Sequence, residues 1–178
     1  MRPTALMDIF EIARLPVTDL RPDLPTHPTV PWGERKFPAL KLLVIHHTAG
    51  SVLATAEGIA KYHIAKGWAG IAYTFYIHTD GKIDFCHWLR EWGPHAAPTN
   101  SYSLGIALAG TYTKVRPPEI MVESLCGVVN CLVLFYLEHN WEKPEVQPHF
   151  NFARTQCPGL VWPAYLEHPN CLEPRAEP

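Results

Sequence analysis

LKLLVIHH, at residues 40–47, is the stretch that decides the fold of this chain. It is a nearly continuous apolar run of strand length, and it ends in two histidines. Strands that are covered on both faces of a mixed sheet have this pattern, because neither face is exposed to water. We therefore predict a buried strand here, with a candidate site at its C-terminal edge, where the polar residues emerge.

Further elements are predicted on both sides of this strand. Residues 55–66 have helical spacing, with Thr55 as a plausible N-cap and Gly67 as a C-terminal stop. Aromatic and polar residues alternate around Asp80 and Gly81, which predicts two antiparallel strands joined by a tight turn. Three more elements are a strand at residues 103–110, a long apolar helix at about 118–139 and a short helix after Pro158-Gly159.

These elements together predict an α/β fold. We expect a single domain with a central mixed β-sheet flanked by about three helices, and a metal site at the edge of the sheet. The first 38 residues differ in composition, because they hold seven of the 18 prolines. We interpret residues 1–38 as a Pro-rich N-terminal arm that wraps the domain surface, with a lid or a partner-binding segment as alternatives. Residues 39–168 are then the domain proper, and residues 169–178 are a C-terminal tail.

Composition and charge argue against several partners. The chain has 178 residues, 47% of them hydrophobic, which is enough for one sizeable core. Its formal charge of −2 gives no electrostatic reason to expect nucleic acid or an anionic membrane surface as a partner. The N-terminal sequence MRPTALMDIFEIARLP lacks a continuous apolar region and a small-residue cleavage site, and we expect no later stretch to approach the length of a membrane span. These observations predict synthesis in the cytoplasm without a signal peptide.

The five cysteines form an odd set without short, regular spacing, so we do not predict a disulfide framework. Cys126 and Cys131 lie in the long apolar helix, where their separation of five residues turns them to different faces. We interpret both as buried thiols.

Three separated segments offer metal ligands: His46 and His47 at the end of the first strand, His149 after a proline, and Cys157 before Pro158-Gly159. Two histidines and a cysteine would make a three-ligand zinc site, and catalytic zinc typically has three protein ligands and one open position. Cys157 is also expected at the start of a helix, where the helix dipole would favour its thiolate. Taken singly, each of these residues is more often simply packed in the core.

The surrounding sequence resembles the type 2 N-acetylmuramoyl-L-alanine amidases and the related peptidoglycan recognition proteins, from about residue 42 to residue 166. Four blocks carry the resemblance in the order of the family: VIHHTAG at residues 44–50, YHIAKGWAGIAYTFYIHTDGKI at 62–83, GPHAAPTNSYSLGIALAG at 93–110 and HFNFARTQCPG at 149–159.

The resemblance implies roles for particular residues. The zinc ligands of the family fall on His46, His149 and Cys157, and His47 is expected to point off the opposite face of the strand. The tyrosine that the family keeps beside the metal falls on Tyr73, and Thr155 stands two residues before the cysteine. Four residues from the matching blocks are expected to line the substrate groove: Trp68, His95, Asn100 and Ser101.

Some positions depart from the family pattern. Phe150 and Asn151 stand where Arg-Asp often follows the second histidine, and Thr74 stands where many members have histidine. Ala107 occupies the position at which one branch carries a glutamate general base, so a carboxylate base at that point is excluded. Tyr73 and Thr155 are then expected to donate hydrogen bonds during the reaction, and the proton donor to the leaving amine stays open, with His95 or a water held by Tyr73 as candidates.

The resemblance therefore implies a zinc-dependent enzyme that hydrolyses the amide between N-acetylmuramic acid and L-alanine in peptidoglycan. We expect a monomer that acts as a bacteriophage endolysin on the host cell wall. One alternative is a non-catalytic peptidoglycan receptor of the same fold, and another is a cytoplasmic amidase that recycles wall fragments. A third is a domain in which zinc only holds the fold or in which His149 and Cys157 merely pack.

Overall fold

A six-stranded mixed sheet forms the centre of the structure, a computed structural model that describes residues 5–36 and 39–171. In chain order the elements are α1 (Leu6–Ile12), β1 (Val17–Asp19), β2 (Gly33–Glu34), β3 (Leu42–His47), α2 (Ala56–Ala65), β4 (Phe75–Ile77), β5 (Ile83–Phe85), β6 (Glu91–Trp92), β7 (Ser103–Leu108), α3 (Glu119–Glu138), β8 (Glu145–Pro148) and α4 (Val161–Glu167). The main sheet has the strand order β1-β5-β4-β7-β3-β8, and β2 pairs separately with β6. Only the β4–β5 pair of the main sheet is antiparallel.

The structure confirms the predicted α/β fold and most of its elements. Strand β3 is central, and five of its six residues are buried. The side chain of Thr55 caps α2 by accepting a hydrogen bond from the backbone N–H of Gly58, which satisfies one donor at the helix start. Gly81 forms the β4–β5 turn at φ +83°, a conformation that favours glycine.

Helix α3 packs against the sheet and against α1 and α4. It is 20 residues long and apolar enough to cross a membrane by length and composition, so the expectation that no stretch approaches that length is wrong. Eleven of its residues are nevertheless buried inside the protein. This burial is what a core helix shows, because the sheet, α1 and α4 cover its apolar surface.

The N-terminal segment contributes three elements that its sequence did not reveal, namely α1, β1 and the two-residue strand β2. Helix α1 buries Leu6, Ile9 and Phe10, and the ring of Phe10 meets that of Phe75 edge-on at 5.7 Å. Strand β1 adds a parallel edge strand beside β5. The segment is therefore not extended throughout, and the structure has four α-helices among its described residues rather than about three. The boundaries of the predicted arm and tail remain predictions, and residues 1–4, 37–38 and 172–178 lie outside the described part.

A disulfide joins Cys126 on α3 to Cys171, which follows α4. The interpretation of Cys126 as a free thiol is therefore wrong, whereas Cys131 is a free and buried thiol as predicted. The pairing spans 45 residues of sequence. It depends on the packing of α4 against α3, which no local spacing of cysteines can reveal.

Candidate metal centre

The register of two parallel strands brings the first two ligand candidates together. Ile45 of β3 lies opposite Pro148, the last residue of β8, so His46 and His149, which follow them along the chain, lie at the same edge of the sheet. The two imidazole rings lie 4.4 Å apart between centroids. His46 is almost fully buried and His149 is half-buried.

Cys157 reaches the same point from the loop that precedes α4. Its Sγ lies 3.7 Å from His46 Nδ1 and accepts a hydrogen bond of 3.3 Å from the backbone N–H of His47. The hydroxyl oxygen of Thr155 accepts a hydrogen bond from the backbone N–H of Cys157, which fixes the loop. The thiol thus faces the two histidines with backbone support on both sides.

The prediction that Cys157 stands at the start of a helix is wrong, so a helix dipole does not favour its thiolate. Helix α4 begins only at Val161, so Cys157 does not stand in its first turn. Without a metal ion, burial raises the pKa of the Cys157 thiol to about 11. A bound cation would reverse this effect, because a coordinating thiol loses its proton outright.

The donor set fits zinc. The ligand atoms of His46, His149 and Cys157 all lie within 4.8 Å of one another. In a tetrahedral zinc site, a sulfur and a nitrogen ligand are about 3.6 Å apart, close to the separation of His46 Nδ1 and Cys157 Sγ. The Nδ1 atom of His149 is buried and has no hydrogen-bond partner among the described residues. A buried nitrogen without a partner is costly, and a metal ion would satisfy it.

His47 takes no part in this set. Its Nδ1 accepts a hydrogen bond of 3.1 Å from the backbone N–H of Tyr112. The two adjacent histidines therefore point to opposite faces of β3, as alternation along a strand predicts.

His95 lies directly behind the candidate ligand His46. Its Nδ1 is 3.0 Å from His46 Nε2, and its Nε2 is 3.1 Å from the hydroxyl of Ser103. The guanidinium of the buried Arg35 donates to the backbone oxygen of the same serine. Sequence reasoning placed His95 in the substrate groove and overlooked Arg35.

A glycine makes this arrangement possible. A Cβ atom at Gly105 would lie 3.1 Å from the ring of His95 and 3.4 Å from that of Tyr73. Glycine inside a strand often marks such a close approach. Gly105, inside the strand predicted at residues 103–110, is thus a sequence signal that could have pointed to this close approach.

Tyr73 stands next to the three ligands. Its ring centroid lies 5.3 Å from that of His46 and 5.7 Å from that of His63. Burial raises the pKa of the Tyr73 phenol well above its usual value, with the nearby Cys157 as a second cause. Tyr73 is therefore protonated near neutral pH, which suits a hydrogen-bond donor.

Four other predicted site residues have contacts or exposure that the structure describes: Trp68, Asn100, Ser101 and Thr155. The ring of Trp68 lies 4.6 Å from that of His63 in a tilted arrangement, and His63 in turn contacts Tyr73. The side-chain oxygen of Asn100 accepts hydrogen bonds from the backbone N–H groups of His95 and Ala96, so this residue shapes the loop of His95. The side chains of Ser101 and Thr155 are exposed.

Comparison with known proteins gives consistent matches. The sequence profile of Amidase_2, described as N-acetylmuramoyl-L-alanine amidase, matches residues 36–160. Peptidoglycan-recognition protein SC1a of Drosophila melanogaster is 37% identical over 133 residues, which cover 69% of this chain and 70% of that protein. N-acetylmuramoyl-L-alanine amidase of Homo sapiens is 27% identical over 157 residues, which cover 75% of this chain and 26% of that protein.

A solved structure agrees with these sequence matches. The Ph2119 endolysin of a Thermus scotoductus bacteriophage superposes with a TM-score of 0.68 at 26% identity. The superposition covers 76% of this chain and 88% of the endolysin.

Proposed function

The chain belongs to the Amidase_2 family of N-acetylmuramoyl-L-alanine amidases, and from this premise we propose that it is a zinc-dependent hydrolase of peptidoglycan. It would cleave the amide that joins N-acetylmuramic acid to the L-alanine of the stem peptide. The observation that carries the proposal is the convergence of His46, His149 and Cys157, with the buried Nδ1 of His149 lacking a partner among the described residues. Three protein ligands are the number that catalytic zinc typically takes.

Zinc held by these residues would supply Lewis-acid polarisation of the scissile carbonyl and activation of water near neutral pH. Tyr73 keeps its proton, so its phenol can donate a hydrogen bond to the carbonyl oxygen as negative charge develops there. The hydroxyl oxygen of Thr155 accepts a hydrogen bond from the backbone N–H of Cys157, and because this residue is exposed, its hydroxyl would donate its own proton to substrate. No carboxylate is needed at Ala107, which lies opposite His46 in the register of β3 and β7.

We assign His95 a positioning role. Both of its ring nitrogens are engaged, one with His46 and the other with Ser103, so it is not placed to protonate the leaving amine. A metal-binding histidine is usually oriented by a partner at its second nitrogen, and such partners are worth about 10- to 100-fold in metal affinity or activity. His95 would orient His46 so that its Nδ1 faces the metal.

A second candidate is a receptor that binds muropeptides without cleaving them, since several relatives are named recognition proteins. The cysteine ligand and Tyr73 favour the enzyme, because a receptor needs neither a thiolate on zinc nor a donor beside it. The likeness to a phage endolysin supports the further proposal that the chain acts on the wall of a bacterial host rather than on recycled fragments.

Mass spectrometry of soluble products from purified peptidoglycan tests the proposal. We expect stem peptides with a free L-alanine amino terminus, and we expect a chelator to abolish their release. Binding to the wall without release of peptides, even with added zinc, would establish the receptor instead. Glycan fragments that retain their peptides would mean a glycosidase and would overturn the proposed reaction.

A further inference from the structure

A second group of metal-ligand side chains lies away from the candidate centre. Cys126 comes from α3, His168 directly follows α4, and Cys171 lies three residues further on. Their ligand atoms also lie within 4.8 Å of one another. Cys126 and His168 are buried and Cys171 is half-buried.

The histidine of this cluster is oriented toward a sulfur atom. His168 Nδ1 lies 3.6 Å from Cys126 Sγ, which is the separation of a nitrogen and a sulfur ligand in tetrahedral zinc, about 3.6 Å. The same nitrogen accepts a long hydrogen bond of 3.3 Å from the backbone N–H of Asn170, which a metal ion would replace. We propose that Cys126, Cys171 and His168 bind a zinc ion when the two cysteines are reduced.

A carboxylate completes the arrangement around His168. The Nε2 atom of His168 lies 3.3 Å from Oε1 of Glu119, which stands in the first turn of α3. Metal-binding histidines commonly donate their second N–H to a carboxylate, which fixes the tautomer and raises the basicity of the ligand nitrogen. Glu119 would therefore hold His168 with its Nδ1 free for the metal. Two thiolates and one neutral imidazole would also balance the charge of Zn²⁺, which lowers the cost of burying the ion.

The disulfide and the zinc site are mutually exclusive states of one cluster. A phosphine reductant and one water convert the Cys126–Cys171 bond into two thiols, and the phosphine is oxidised to its oxide. Zinc then displaces the two thiol protons, and the sulfurs separate from bonding distance to about 3.8 Å. Cys171 follows the last turn of α4, so it can make this small movement without disturbing a helix. Either state ties the C-terminal segment to α3.

The stoichiometry of bound zinc tests this inference. The difference in zinc content between reduced and oxidised protein reports on this cluster alone, whereas the baseline of one ion rests on the zinc proposed at the first cluster. Protein is equilibrated with zinc, with or without the phosphine, and is desalted before metal analysis. We expect two zinc ions per chain in the reduced wild type and one in the oxidised wild type. Reduced Cys171→Ser should hold one. Reduced Cys131→Ser is the matched control, because Cys131 is a buried thiol on the same helix outside the cluster, and it should hold two.

Alkylation of the wild type provides a second measurement that needs no variant. In reduced protein, zinc should slow the reaction of Cys171 with iodoacetamide by at least tenfold, as located by peptide mass spectrometry. Equal zinc content in the oxidised and reduced wild type would overturn the inference. Two zinc ions in reduced Cys171→Ser would also overturn it. So would alkylation of Cys171 in the wild type at the same rate with and without zinc.

Discussion

Two histidine and cysteine clusters lie at opposite ends of the same C-terminal segment, with Cys157 before α4 and Cys171 after it. Their residue types are almost the same, but their hydrogen bonding differs. At the first cluster, the buried Nδ1 of His149 lacks a partner among the described residues and the sulfur is a free thiol. At the second, both nitrogens of His168 have partners and the two sulfurs are bonded to each other.

The comparison shows that ligand types alone do not identify an active site. The first cluster lies at the edge of the sheet beside Tyr73, a protonated donor, and its ligand atoms need a further partner. The second is satisfied without a metal as long as its cysteines are oxidised. We therefore assign catalysis to the first cluster and a structural clamp to the second, and the following predictions test that difference.

Cys157→Ser should have the largest effect. Loss of the thiolate removes a ligand, and the Lewis-acid contribution of zinc is several kcal/mol, so activity should fall about 1,000-fold or more. Peptide release from peptidoglycan measures the activity. Cys131→Ser is the control, because it removes a buried thiol that touches neither cluster. Retention of substantial activity by Cys157→Ser would contradict the assignment.

Tyr73→Phe should lower kcat by about 100-fold, which is typical for loss of one donor to a developing oxyanion. Zinc content should stay the same, because Tyr73 is not a ligand. Single-turnover kinetics together with metal analysis separates the two effects. An unchanged kcat would remove Tyr73 from the mechanism.

His95→Ala should weaken zinc binding at the first cluster by about 10- to 100-fold, because His46 loses the partner that orients it. Competition with a chromogenic chelator measures this affinity. His168→Ala in oxidised protein is the matched control and should leave it unchanged. If the two variants bind zinc equally well, His95 has no positioning role.

Among these four variants, Cys171→Ser should have the smallest effect on activity and the largest effect on the free energy of unfolding. In non-reducing, zinc-free buffer, loss of a disulfide that closes a 45-residue loop should lower the free energy of unfolding by about 2–4 kcal/mol. Urea denaturation measures the loss, and kcat of the folded protein with zinc restored should stay within about twofold. A large drop in kcat would show that the two clusters are coupled.

Most of the fold was predictable because its signals are local. The apolar run at residues 40–47, the Thr55 cap and the Asp80-Gly81 turn each specify an element through its nearest neighbours. Helix α1 and strand β1 were missed because both are short, and they are held by contacts with α3 and β5. The Cys126–Cys171 bond was missed for the same reason, since its two ends meet only after α4 has packed.

For the candidate site, the sequence predicted the three ligand candidates but not the contacts around them. The sequence blocks single out His46, His149 and Cys157, and the parallel register of β3 and β8 explains why the first two meet. The place of His95 behind His46 depends on a loop held by Asn100 and on the space left by Gly105. Such tertiary details have no sequence period, so the contact of His95 with His46 was not predicted, and the place of His95 in the substrate groove stays a prediction.

Zinc add-back to metal-free, non-reduced protein is the most direct test of the central claim. Release of stem peptides with a free L-alanine amino terminus is followed as zinc is added in increments. We predict no release without metal and a linear rise that ends at one zinc per chain, since the oxidised second cluster cannot bind. Full activity in metal-free protein, or no activity at any zinc ratio, would contradict the assignment of His46, His149 and Cys157 as a catalytic zinc site.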